Sequence, residues 1–176
     1  MSNKKKYLVC ALTLCAIGAV SAGLIALTNE ITHDIIIENE NKMVKKALEE
    51  VLPDAEKFSE EKNDFSITPN YLQKYYIAYG NNDEQLGYVY LTSGSNQYGQ
   101  IKMMVSISNN EIGQISIVSN TQSFASTLEE GYIVPYQNGD ISIEDVKCGA
   151  TFGAKLIKEM AEEARYDYSL KKGDDN

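Results

Sequence analysis

The chain has 176 residues, of which 23% are charged, with a formal charge of −9 and a single histidine. Lys4, Lys5 and Lys6 are the only charged side chains before Glu30, so the remainder of the chain carries −12, which argues against a nucleic-acid or polyanion partner and otherwise reads as a solubilising surface. With one histidine, His33, and three cysteines there is no Cys/His cluster for a zinc or iron–sulfur site, and no Ser-His-Asp or paired-carboxylate constellation for hydrolysis.

From Tyr7 to Thr28 the chain carries no charge and is rich in Leu, Ala, Val, Ile and Gly. That length is close to the roughly 20 residues needed to span a membrane as a helix. Lysines before it and Glu30 after it predict a cytoplasmic N-terminus and an exported remainder, because basic residues are retained on the cytoplasmic side. A cleaved signal peptide is the competing reading, since Val20-Ser21-Ala22 resembles a small-residue cleavage site. The apolar run continues past that site for a full span, which favours an uncleaved anchor. Cys10 and Cys15 lie inside the run, preceded by Val9 and Leu14 rather than by the small residue of a lipoprotein signal. Cys148 is then the sole exported cysteine, so no disulfide framework forms within the exported part.

Beyond the span, Ile36, Met43, Val44, Ala47, Leu48, Val51 and Leu52 form an apolar stripe at helical period, with Pro53 as its stop. The polar stretch from Glu56 to Asn70 reads as a connection. Strands are predicted at Tyr75–Tyr79 and Leu86–Thr92, separated by the turn-rich Gly80-Asn81-Asn82-Asp83. Ile101, Met103, Val105 and Ile107 alternate with Lys102, Met104, Ser106 and Ser108, which is the pattern of a strand. Asn109-Asn110 predicts a turn into a hairpin partner at Ile112–Val118. The fold class is therefore α+β, a half-buried antiparallel sheet with helices packed on one side. The tyrosines, 12 in all and accompanied by no tryptophan, are explained first by packing within such strands. From Tyr166 the sequence turns polar and predicts a frayed tail.

The stretch Asp145-Val146-Lys147-Cys148-Gly149-Ala150-Thr151-Phe152-Gly153 precedes apolar positions Leu156, Ile157, Met160, Ala161 and Ala164 at helical spacing. Thr151 thus falls at or near a helix start. Such a start offers unpaired N–H groups and the positive end of the helix dipole, which suit a phosphate, and glycines admit a ligand to the backbone. Thr is equally an ordinary N-cap residue, and Gly-Ala before a helix requires no ligand.

The same stretch resembles the flavinylation motif of the FMN-binding domains in the G subunit of the Rnf electron-transport complex and the C subunit of the sodium-pumping NADH:quinone reductase. That pattern is Asp, two variable residues, Ser or Thr, Gly, Ala, Thr. The resemblance implies that Thr151 carries FMN through a phosphoester, made by a separate flavin transferase from FAD with magnesium. Cys148 stands where the family has Ser or Thr. Cys148, Gly149, Ala150, Phe152 and Gly153 would border the cofactor, and Asp145, with Cys148 and Ala150, would belong to what the transferase recognises. The N-terminal half is similar to the G subunit too: an anchor, an Asn-Glu-x-Thr step at Asn29-Glu30-Ile31-Thr32, Glu38-Asn39, and an Ala47-Leu48 to Val51-Leu52-Pro53 ending. Tyr98-Gly99, Gly113 and Ile115 also match positions that family members carry. One departure is Asn120-Thr121-Gln122-Ser123-Phe124-Ala125-Ser126, where the family carries Glu-Thr-Pro-Gly-Leu-Gly along the flavin. Only Thr121 and Gln122 are candidates from this stretch.

The resemblance implies a cytoplasmic N-terminus at 1–6, a transmembrane helix at 7–28, a juxtamembrane helix at 29–53, an extracytoplasmic FMN-binding domain at 54–168 and a polar tail at 169–176. It implies a redox subunit of an Rnf-type ion-translocating ferredoxin:NAD oxidoreductase, partnered by the other subunits, the transferase and the lipid bilayer. A subunit of the sodium-pumping quinone reductase, a free-standing extracellular electron-transfer flavoprotein and a flavin-less scaffold remain the alternatives.

Overall fold

The computed structural model describes residues 3–133 and 150–173. Its elements are α1 (Asn3–Val51), β1 (Lys57–Phe58), β2 (Leu72–Tyr79), β3 (Gln85–Asn96), β4 (Gly99–Ser108), β5 (Glu111–Asn120), a short α2 (Ala125–Leu128) that runs into a π-helical turn (Glu129–Ile133), and α3 (Thr151–Gly173). The chain divides into two compact units, Met1–Lys42 and Met43–Asn176.

The first unit is helical. Neither Gly nor Pro occurs between Leu24 and Val51, so nothing breaks α1 at the Thr28-Asn29 step, where the sequence reading separates an anchor from a second helix. The large apolar side chains of Tyr7, Leu12, Ile17, Leu24 and Ile25 are all exposed, and the helix is long and apolar enough to cross a membrane. Two of its threonine hydroxyls are served internally. Thr13 donates to the Val9 carbonyl at 2.9 Å and Thr28 to that of Leu24 at 2.8 Å, so neither needs water in an apolar medium.

The second unit is built on a five-stranded antiparallel sheet in sequential order β1-β2-β3-β4-β5. The strands fall where the alternating sequence puts them, and the β4–β5 turn holds Asn109 and Asn110 at φ 52° and 63°. Two left-handed residues make the tight turn whose twist suits a hairpin, and Asn tolerates that conformation. Three features depart from the sequence reading. The polar sequence from Tyr166, expected to fray, continues as helix to Gly173, because Asp167 and Tyr168 are buried against the sheet. The connection after Glu56 contributes β1, paired with Ala78 and Tyr79, and a further bridge from Lys62 to Tyr75. More consequentially, the sheet is covered on both faces rather than one.

Period-2 alternation explains the two layers. Tyr88, Tyr90, Ile101, Met103, Val105 and Ile107 face α3, where Leu156, Ile157, Met160, Ala161 and Ala164 form the apolar stripe. Val89, Leu91 and Met104 point the other way and pack with Val44, Ala47, Leu48 and Val51 from the last turns of α1. Met104 and Ser106, assigned by the alternation to a solvent face, are buried. The last turns of α1 and the length of α3 thus complete a sheet that neither helix could cover alone.

Candidate functional site

α3 begins at Thr151, and its first turn carries no acidic residue. Ala154 closes the first helical hydrogen bond, to the Ala150 carbonyl at 3.0 Å. Ala150 is buried in the α3 face of the core, whereas Thr151 is exposed and the Phe152 side chain is 56% exposed. Gly153 is buried, and a Cβ there would come within 2.5 Å of Leu128 Cδ1; its smallness lets α2 approach α3. Asp145, Cys148 and Gly149 lie outside the described residues.

Three segments meet the start of α3. The turn between β3 and β4 brings the Tyr98 ring to 5.5 Å from that of Phe152, and Asn96 Nδ2 donates to the Phe152 carbonyl at 3.3 Å. Gly99, in that turn, has φ 137° and lies against the backbone carbonyl of Thr121, where a Cβ would clash. The exit of β5 is stitched to the turn. Gln100 N donates to Thr121 Oγ1 at 2.9 Å, Ser123 N to the Tyr98 carbonyl at 3.1 Å, and Gln122 Nε2 to both Asn96 Oδ1 at 3.0 Å and the Gly99 carbonyl at 2.7 Å. Thr121 and Gln122 therefore spend their polar groups on the scaffold, with Gln122 itself buried.

The residues present fit a flavin phosphate. Thr151 is exposed, the leading N–H groups of a 23-residue helix favour an anion, and the first turn carries no carboxylate to oppose it. Lys155, one turn on from Thr151, has a side chain that is 73% exposed and lies 3.8 Å from Glu159. Phe152, the next residue in the chain, keeps its ring half exposed beside Tyr98 and offers an apolar surface for a planar ring.

The far end of α3 holds a separate polar cluster that no sequence pattern disclosed. Asp167 is fully buried and accepts from Ser66 N at 2.6 Å and from the Tyr90 hydroxyl at 3.0 Å. Tyr75 stacks against both Tyr88 and Tyr90, with ring centroids at 5.4 and 5.5 Å, and donates to Asp64 at 2.8 Å. Burial, with the Asp167 charge and hydrogen bond beside it, pushes the Tyr90 hydroxyl well above the usual phenol range. Burial and the Asp64 hydrogen bond do the same to Tyr75. A cleft of about 370 Å³ at this end is lined by Gly87, Asn109, Asn110, Tyr168 and Lys172. These groups hold the sheet to α3 and lie at the opposite end of that helix from Thr151.

Helix and site together define a small α+β domain preceded by a helix able to cross a membrane. Residues 1–51 match the family model of the RnfG N-terminal region. The chain thus resembles the G subunit of the Rnf complex, and the match supports a subunit of an Rnf-type complex. It spans α1 and stops short of the sheet. A search of curated proteins finds no match.

Proposed function

We propose that the protein is a membrane-anchored flavoprotein subunit that carries FMN on Thr151 and passes electrons within an Rnf-type ion-translocating complex. The observation that carries this reading is an exposed threonine at the first position of α3, at the end of an Asp-x-x-Cys-Gly-Ala-Thr stretch. The match over 1–51 favours an Rnf-type assembly over a sodium-pumping quinone reductase or a free-standing carrier.

Attachment is a group transfer without redox change. The Thr151 oxygen bonds to the phosphorus on the FMN side of the FAD pyrophosphate, the bond from that phosphorus to the AMP oxygen breaks, AMP leaves, and the hydroxyl proton passes to a base of the transferase. The start of α3 and Lys155 stabilise the resulting phosphodiester anion, and Phe152 gives the ring system an apolar neighbour. FMN, once bound, supplies the electron transfer, while the fold fixes its position. The proposed topology places Lys4, Lys5 and Lys6 in the cytoplasm and the sheet domain outside.

The test is intact-mass spectrometry of the full chain after incubation with flavin transferase, FAD and magnesium. Addition of one FMN phosphoester to the wild type and none to Thr151→Ala supports the reading. No addition to either, with the transferase active on a control substrate, overturns it and leaves a flavin-less scaffold, in which Thr151 is only the first residue of α3.

A further inference from the structure

We infer that Asn96 is a positioning residue for Thr151, holding the first turn of α3 in the attitude that presents the hydroxyl to the transferase. The inference rests on attachment at Thr151 and adds to it the device that aims the acceptor.

A helix start is intrinsically loose, because its leading N–H groups have no intrahelical carbonyl partner and the first turn frays. Here the first turn is tied from outside. Asn96 reaches from the β3–β4 turn to the carbonyl of Phe152 at 3.3 Å, one residue beyond the proposed attachment point. The orientation of its amide is fixed by its other partners. Tyr98 N at 2.8 Å and Gln122 Nε2 at 3.0 Å both donate to Oδ1, so only the NH2 group is left to face Phe152. Gln122 is fixed in turn by the Gly99 carbonyl at 2.7 Å, an acceptor that requires its NH2 on that side. The result is a directional chain from the exit of β5, through the turn, to α3. Each link has one satisfying orientation, and reversing either amide would set two acceptors against each other. The Tyr98 ring against Phe152 restrains the same turn laterally.

A misplacement of about 1 Å at a reacting group can cost on the order of a hundredfold in rate without altering the fold. Asn96→Asp breaks the link, and Asn96→Ser breaks it without adding a carboxylate near the helix start. The aspartate retains an acceptor for Tyr98 N and Gln122 Nε2, but it removes the donor to Phe152 and sets an oxygen against that carbonyl. Tyr90→Phe is the stability control, since it removes a buried hydrogen bond at the far end of α3 without touching the first turn. The experiment follows FMN incorporation into the full chain by intact mass over time, with flavin transferase, FAD and magnesium, alongside thermal unfolding of each variant. The expected result is an initial rate for Asn96→Asp at least about tenfold below wild type at saturating chain, with KM for the chain within about twofold. Tyr90→Phe should incorporate at the wild-type rate despite a lower unfolding midpoint. Asn96→Ser is measured beside it, and replaces it should Asn96→Asp fail to fold, keeping an oxygen for the Tyr98 N–H while too short to reach Phe152, and the same rate loss is expected. Incorporation at the wild-type rate in either Asn96 variant, or an equal slowing in Tyr90→Phe, overturns the positioning role. An unmodified wild type overturns the flavin assignment, and the positioning role falls with it.

Discussion

The Tyr90 hydroxyl donates to Asp167 Oδ2 at 3.0 Å across 77 residues of sequence, and the other oxygen of that carboxylate accepts from Ser66 N at 2.6 Å. One buried acid therefore joins β3, the segment before β2 and the last turns of α3. Asp167→Ala should destabilise the domain by about 3 kcal/mol, because it leaves a buried phenol and a backbone N–H without an acceptor. Tyr90→Phe should cost less, about 1–2 kcal/mol. Thermal unfolding of the full chain in detergent, followed by circular dichroism, ranks the two, and the reverse order would contradict the network.

Alkaline pH should loosen the same layer. The folded domain raises the ionisation of Tyr75 and Tyr90 above the ordinary phenol range, so the unfolded chain releases these protons first as pH rises. Their contribution is full below about pH 10, the ordinary tyrosine value, and is lost progressively above it. The unfolding midpoint should fall as pH climbs past about 10, and Tyr90→Phe should fall less steeply. A midpoint that declines equally in both would remove Tyr90 from the account.

In the proposed attachment the Thr151 hydroxyl, rather than its methyl group, is the reacting group. Thr151→Ser should therefore accept FMN while Thr151→Ala does not. Both should retain the fold, since Thr151 is exposed in the first turn of α3 and substitutions at such positions usually cost less than about 1 kcal/mol. Intact mass separates the two, and an unmodified serine variant would show that the site demands more than an oxygen at this position.

Gly99→Ala should destabilise the domain by about 2 kcal/mol, combining strain at φ 137° with a collision against the Thr121 carbonyl. The same substitution should slow flavin incorporation, because Gly99 sits in the turn that carries Asn96 and Tyr98. Denaturation and incorporation measured on one preparation would reveal whether the two effects travel together.

Within α1, Ile17 lies in the middle of the uncharged run and is exposed. Ile17→Arg should disfavour insertion by about 3 kcal/mol, the cost of a central charge. Carbonate-resistant membrane fractionation reads this directly: retention of the variant in the membrane fraction at wild-type levels would count against a span at this position.

The sequence discloses those parts of the fold that local periodicity controls. The alternation at Ile101–Ser108, the paired asparagines at 109–110 and the stripe from Leu156 to Ala164 each specify an element, and Thr151 stands where the stripe begins. Long-range partners were not legible. The polar sequence after Tyr166 continues as helix to Gly173, because Asp167 and Tyr168 are buried against strands that are distant in sequence. Met104 reads as a solvent-side residue until α1 arrives over it. Asn96 is the clearest omission: Asn-Gln-Tyr-Gly signals a turn in which the side chain bonds two residues on, but nothing in the string reveals that its amide also reaches Phe152.

The place where α1 ends bears on how a soluble version of the protein should be made. Pro53 marks the visible end of the helix, and a truncation there would appear to discard only the anchor. It would also strip Val44, Ala47, Leu48 and Val51 from over Val89, Leu91 and Met104. Burying an aliphatic side chain of this kind contributes roughly 1.5–3 kcal/mol, so their combined loss rivals the whole stability of a small domain. Such a fragment would present an apolar sheet face to water and aggregate. A cut placed before Met43, where the second compact unit begins, keeps those turns and releases the domain with its own lid.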